Sequence, residues 1–98
     1  MPKEIIWSRI AEDDLINVTN YLILKWSKRI ANDFIDLLEK YIDQISSNPK
    51  CYPMINKKKR IHKCVVTKHN SLYYHEVGNK VELLRLFDNR QDPKKLRF

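Results

Sequence analysis

The chain contains a single glycine, and its position constrains most of what the second half can fold into. Gly78-Asn79 lies between two apolar-rich runs and places glycine first in a type II′ turn, where positive φ carries no steric cost and the twist suits the flanking strands. A two-residue turn fixes the pairing of its arms: Val77 opposite Lys80, His75 opposite Glu82, Tyr73 opposite Leu84 and Leu72 opposite Arg85. Opposed residues share a face because side chains alternate along a strand. One face is then expected to carry Leu72, Tyr74, Val81, Leu83 and Phe87 with Glu76 and Arg85. The other carries Tyr73, Val77, Leu84 and Leu86 with His75, Lys80 and Glu82. The run over residues 80–87 is expected to centre a sheet, and the polar stretch from Asp88 to Pro93 ends it, since proline cannot donate to a ladder.

The residues ahead of this hairpin have a different period. Residues 4–7 form a short apolar run, read as an edge strand, that stops at Ser8, a good helix N-cap. Ala11, Leu15, Val18, Leu22 and Trp26 then recur at steps of three and four, which predicts a helix over residues 9 to about 26, with Glu12, Asp13 and Asp14 near its positive end. Ser27 caps a second helix, with Ile30, Phe34, Leu38, Tyr41 and Ile45 on one side and Ala31, Ile35 and Ile42 widening the stripe. Asn48-Pro49 ends it, because a residue before proline is pushed out of the α region. So short a link predicts an antiparallel helical hairpin.

Residues 48–59 read as a loop that partly packs down. Residues 61–67 read as a strand, 68–71 as a turn, and 72–77 with 80–87 as the rest of a three-stranded antiparallel meander. The order β-α-α-β-β-β implies an α+β fold, with the helical hairpin on one face of the sheet. Ninety-eight residues suffice for one such domain, residues 1–98, and not for two.

Charge divides the chain. Residues 1–48 hold six Lys/Arg against eight Asp/Glu, whereas residues 49–98 hold thirteen against four, a net +9. No carboxylate side chain lies between Asp43 and Glu76, an interval holding Lys50, Lys57, Lys58, Lys59, Arg60, Lys63 and Lys68. Such a field attracts polyanions or an acidic protein segment. Apolar runs are too short to span a bilayer and no leader is evident, so a cytoplasmic location without membrane partners is expected. Cys51 and Cys64 have neither metal-ligand spacing nor a second cluster. They read as a loop residue and a buried thiol, and no metal or cofactor is expected. Two helices can cover only one sheet face. The other is left as an apolar patch with a few charges, fit for a second chain in a homodimer or hetero-oligomer.

Taken together, Trp7-Ser8, the helix bearing Ala11, Asp14, Leu15, Tyr21 and Trp26, then Ile45 with Asn48-Pro49, Ile61-His62-Lys63, Tyr73-Tyr74, and Leu83-Leu84 through Arg90-Gln91-Asp92-Pro93 resemble the RelE/ParE superfamily of bacterial toxins from type II toxin-antitoxin modules. The resemblance covers nearly the whole chain. It implies a small basic toxin of a plasmid-stabilising module, which arrests growth and is held inactive by a cognate antitoxin whose disordered, often acidic segment folds on binding. On the open face Tyr73, His75, Leu84 and Leu86 would meet that antitoxin.

The resemblance admits two mechanisms: RelE-like members cleave mRNA on the ribosome, and ParE-like members inhibit DNA gyrase. Cleavage needs a cation for the phosphorane and a proton-transfer group. Arg85 and Arg90 match the region where RNA-cleaving relatives keep an arginine, and His62, between Arg60 and Lys63, is the candidate base. His69 reads as a solvated turn residue and His75 as the cross-strand partner of Glu82. Several such relatives also use a His or Tyr near the C-terminus, and Lys94-Lys95-Leu96-Arg97-Phe98 offers neither. Lys57, Lys58, Lys59, Arg60, Lys63, Lys68, Arg85 and Arg90 are the candidate target-contacting cations. The Trp-Ser start and the tail Arg90-Gln91-Asp92-Pro93 look more like the ParE branch, with gyrase as target; mRNA cleavage is the alternative, and a non-toxic nucleic-acid-binding module a third reading.

Overall fold

The computed structural model describes residues 2–98. β1 (Glu4–Trp7) leads into α1 (Arg9–Lys25) and α2 (Lys28–Ser47), followed by β2 (Met54–Asn56), β3 (Ile61–Val65), β4 (Asn70–Val77), β5 (Lys80–Asp88) and a short 3₁₀ turn at Pro93–Lys95. The five strands form one sheet in the order β1-β5-β4-β3-β2. This is the expected α+β fold, with β2 added inside the stretch read as loop. Three residues beside Pro53 are too few for a periodic signal, and β2 is held from outside itself: the amide of Lys63 donates to the carbonyl of Pro53 at 3.0 Å. β5 lies between β1 and β4, one place from the centre, and β1 runs parallel to it.

Both helix starts are capped as their sequences direct. Ser8 Oγ accepts from the amide of Ala11 at 3.0 Å, and Ser27 Oγ from that of Ile30 at 3.2 Å. The α1 stripe packs on the sheet through Ala11, Leu15, Val18 and Leu22, and α2 adds Phe34, Leu38 and Ile45. The stripe fails at its end, where Trp26 is 71% exposed and Ile30 42%. Loop 48–53 packs down as expected: Tyr52 lies against the core, and the carbonyl of Pro49 accepts from the hydroxyl of fully buried Tyr74 at 2.7 Å. Cys64 is buried and Cys51 exposed, both free thiols.

The hairpin turns where the glycine directs, with Gly78 at φ 61°, and pairs Val77 with Lys80 and His75 with Glu82. The register then slips. Tyr74 pairs with Leu83 but Tyr73 pairs with Arg85, so Leu84 is an extra residue in a β-bulge, and Leu72 faces Leu86 rather than Arg85. One inserted residue reverses every face assignment after it. Leu86 joins the helix-side core with Leu72, Tyr74, Val81 and Leu83, while Phe87 joins Ile61 and Tyr73 on the opposite face. That face is not bare: Leu96 of the C-terminal tail packs on it, the Phe98 ring lies 5.4 Å from that of Tyr73, and Tyr73 is only 4% exposed.

A Cβ at Gly78 would meet nothing within 4 Å, so a side chain there costs only its backbone conformation. Gly78→Ala should lower the unfolding free energy by about 1 kcal/mol, and Gly78→Asn by less, since asparagine tolerates the left-handed region. Urea denaturation of the two variants checks the order.

Candidate functional site

The expected site residues are separated by the sheet. His62 lies on the helix side, 4% exposed, its ring stacked on that of Tyr74 with centroids 5.0 Å apart. Its Nδ1 is 2.8 Å from the carbonyl oxygen of Tyr52, which can only accept, so Nδ1 carries the proton. Arg85 lies on the other side, beside Tyr73 in the ladder and 5.6 Å from the Phe87 ring. No phosphate could lie against both groups in this arrangement. His69 is exposed in the β3–β4 turn, and His75 meets Glu82 at 2.8 Å as expected.

Arg85 has a partner that the sequence did not indicate. Asp14 of α1 accepts from Arg85 Nε at 2.8 Å and from Nη2 at 3.3 Å, and the same carboxylate accepts the amide of Leu86 at 3.0 Å. Both side chains are 15% exposed. Glu76, the partner suggested by the expected face, pairs instead with Lys3 at 2.6 Å. Arg85 Nη1 also reaches the carbonyls of Lys95 and Arg97, at 3.3 and 3.5 Å, and so holds the tail. Arg90 is engaged by Asp88 through two bonds of 3.0 and 2.8 Å and lies over the Tyr21 ring at 5.9 Å. Two of the most suggestive cations are thus neutralised within the fold.

The remaining cations divide. Lys57, Lys58, Lys59 and Arg60 form the exposed tip of the β2–β3 hairpin, and Lys63 lies over the Tyr73 ring at 5.9 Å. Lys68 is at the opposite end of β3, about 16 Å along the strand. It neighbours a cleft of about 610 Å³ between the helices and the end of the sheet. Val18, Tyr21, Trp26, Ile30, Phe34 and Leu86 give that groove its apolar lining, with Asp33, Asp88 and Arg90 among its charged residues. Leu24 stands 85% exposed where the hairpin turns. Sequence periodicity signalled the groove only indirectly: Trp26 and Ile30 extend core stripes beyond the sheet that would have covered them.

Of the four residues expected to meet an antitoxin, Tyr73 is covered by the tail and Leu86 forms part of the groove on the other side of the sheet. His75 and Leu84 are partly exposed. Among the described residues no cluster of three or more His, Cys, Asp or Glu could hold a metal, and no helix is long and apolar enough to cross a membrane.

An N-terminal strand, a helical hairpin on one sheet face and an antiparallel meander, with an apolar groove and an unevenly distributed basic surface, define a toxin of the RelE/ParE type. The chain belongs to the family of ParE toxins of type II toxin-antitoxin systems, parDE, whose profile matches residues 5–93. No curated protein matches it. Among solved structures, the chain is similar to one from the chromosomal ParDE toxin-antitoxin system of P. aeruginosa, at 11% identity and TM-score 0.75 over 88% of this chain and 95% of that one. It is also similar to a copper-bound mutant toxin from Helicobacter pylori, at 18% identity and TM-score 0.52 over 89% and 94%. At these identities the likeness carries the fold alone.

Removing the Asp14 carboxylate leaves the Leu86 amide without its acceptor and the Arg85 guanidinium without its counter-charge. Asp14→Ala should cost about 2–3 kcal/mol, and Arg85→Ala less, because the carboxylate keeps its bond to Leu86. Thermal or urea unfolding gives both numbers.

Hydrogen bonds from Arg90 hold the Asp88 carboxyl below its ordinary 3.8, with partial burial opposing, and Lys3 does the same for Glu76 below 4.5. Folded values below unfolded ones mean that the contribution is complete above the ordinary values and lost as pH falls through the depressed ones. Stability should therefore fall on acidification below about pH 4, and Arg90→Ala or Lys3→Ala should flatten that acid limb in pH-dependent unfolding curves.

Proposed function

We infer that this chain is the toxin of a two-protein module, that it arrests growth by inhibiting DNA gyrase, and that a cognate antitoxin holds it inactive through the apolar groove. Family membership supports the toxin role. The observation that carries the choice of mechanism is the separation of His62 from Arg85 by the sheet. In-line attack by a ribose hydroxyl requires a proton acceptor and a cation at one phosphate. Here the imidazole is buried under loop 48–53, and the two arginines are occupied by Asp14 and Asp88. A toxin that works by binding needs no such constellation.

The groove suits an antitoxin segment that folds on docking. It offers apolar lining beside an exposed indole, and large exposed aromatic side chains are the usual anchors of such interfaces. The basic second half of the chain draws an acidic segment toward it.

Expression of the chain alone should arrest growth, and co-expression of the small adjacent open reading frame should relieve the arrest. Purified protein should inhibit gyrase supercoiling and leave mRNA on ribosomes uncut. Ribosome-dependent cleavage that Arg85→Ala abolishes would reverse the assignment. Trp26→Ala should weaken antitoxin binding at least about tenfold in calorimetry, with little change in melting temperature, since the indole is mostly exposed.

A further inference from the structure

We propose that the sheet face turned away from the helices carries a second binding site, for the phosphate backbone of duplex DNA, built from the β2–β3 hairpin tip and the C-terminal tail. Lys57, Lys58, Lys59 and Arg60 are all exposed, and among the described residues none of them is within ion-pair distance of a carboxylate. Their loop is held in shape: Asn56 Oδ1 accepts the amide of Lys59 at 2.9 Å, and Arg60 takes a left-handed φ of 55° to bring the chain into β3. Four cations are therefore displayed on a fixed turn rather than on a floppy loop.

The tail brings more charge to the same face. Leu96 packs on the cluster formed by Tyr73, Phe87 and Ile61, the residue after Arg60, and Phe98 shares the Tyr73 ring with Lys63. With Leu96 and Phe98 packed against the sheet, alternation leaves Lys95 and Arg97 exposed, and Arg85 holds their carbonyls. Lys94 follows Pro93 in a turn capped by Asp92, whose side chain accepts its amide at 3.0 Å. The result is a surface of unpaired cations, on which the Glu82 carboxylate is already engaged by His75.

The chemistry of this surface points to duplex rather than to single strands or protein. Base stacking needs open aromatic faces, and on this side Tyr73 is only 4% exposed, which leaves the part-exposed ring of Phe98, itself packed against Tyr73. The exposed cations therefore make phosphates the chief groups to be contacted, and the duplex backbone presents them at high linear density, roughly one charge per 1.7 Å of axis. A protein segment would need clustered apolar anchors, but Ile61, Tyr73 and Phe87 are buried beneath the tail, and the exposed Val65 and Val77 stand at opposite ends of the sheet. Met54 and Ile55 of the edge strand, 41% and 48% exposed, make an acidic peptide the competitor to test.

The test is fluorescence anisotropy of a labelled duplex of about 20 base pairs in 50–200 mM salt, without gyrase. Duplexes of two sequences should bind within about twofold of one another, with log affinity falling linearly against log salt. The triple variant K57A/K58A/K59A and the triple variant K94A/K95A/R97A should each lower that slope by about 2–3 and weaken binding at least roughly tenfold at 50 mM. Far-UV circular dichroism melts confirm that these surface changes leave the fold intact. No binding at 50 mM, unchanged slopes in both variants, tighter binding of the matched single strand, or displacement by a Glu-rich peptide at equal charge concentration would each overturn the site. Because naked DNA is the probe, a failed supercoiling assay would leave this inference standing, and a failed titration would leave the toxin assignment standing.

Discussion

The Asp14 carboxylate ties α1 to both the backbone and a side chain of β5, and through Arg85 to the C-terminal tail. β1 covers the outer edge of β5 only from Lys80 to Leu83. Beyond that point the strand would present bare amides and carbonyls, which are costly to bury and prone to stray pairing. α1 closes the gap. The hydroxyl of Ser8 donates to the carbonyl of Leu84, and Asp14, less than two turns later, takes the amide of Leu86 and the guanidinium of Arg85. The bulge at Leu84 lies where the neighbour of β5 changes from strand to helix. The position of Leu86 in the core, of Phe87 on the far face and of Arg85 beneath the tail all follow from it.

What the sequence could disclose tracks how local its causes are. Both helix caps, the glycine turn, the His75–Glu82 pair and the buried Cys64 depend on neighbours a few residues away or on a register counted from a turn, and each was legible. The bulge was not, because the groups that meet β5 there are a serine and an aspartate more than seventy residues upstream. The partner of Arg85 was hidden for the same reason: a correct count from Gly78 led to the wrong face once Leu84 had slipped in. β2 escaped notice because it is three residues long, and the tail because Leu96 and Phe98 show no period until the sheet face beneath them is known.

The same distinction separates the cations. By sequence alone Arg85 and Arg90 are more suggestive than a lysine run, since arginine forks onto phosphate. Tertiary pairing reverses that order, with Asp14 and Asp88 occupying the two forks and the hairpin lysines left without carboxylates among the described residues. Charge that is visible in composition is thus not the charge available to a partner. Only the cations that folding leaves unpaired can release counterions from a nucleic acid or recruit an acidic chain.

The two surfaces left open by this fold face opposite ways. The apolar groove lies on the helix side at one end of the sheet, and the cations of the C-terminal tail lie on the other side, with the thickness of a strand layer between them. Residues 89–92 lead directly from one to the other: Asp88 and Arg90 border the groove, and Asp92 caps the turn that starts the tail across the far face. A segment seated in the groove would therefore touch the root of the tail without covering its cations. To silence both surfaces, an inhibitor must either wrap around the edge of the sheet or displace the Arg90–Asp88 pair that anchors the tail's first residues. An extended chain that folds as it binds can do the first without needing the second, at the entropic cost of being ordered along the whole path.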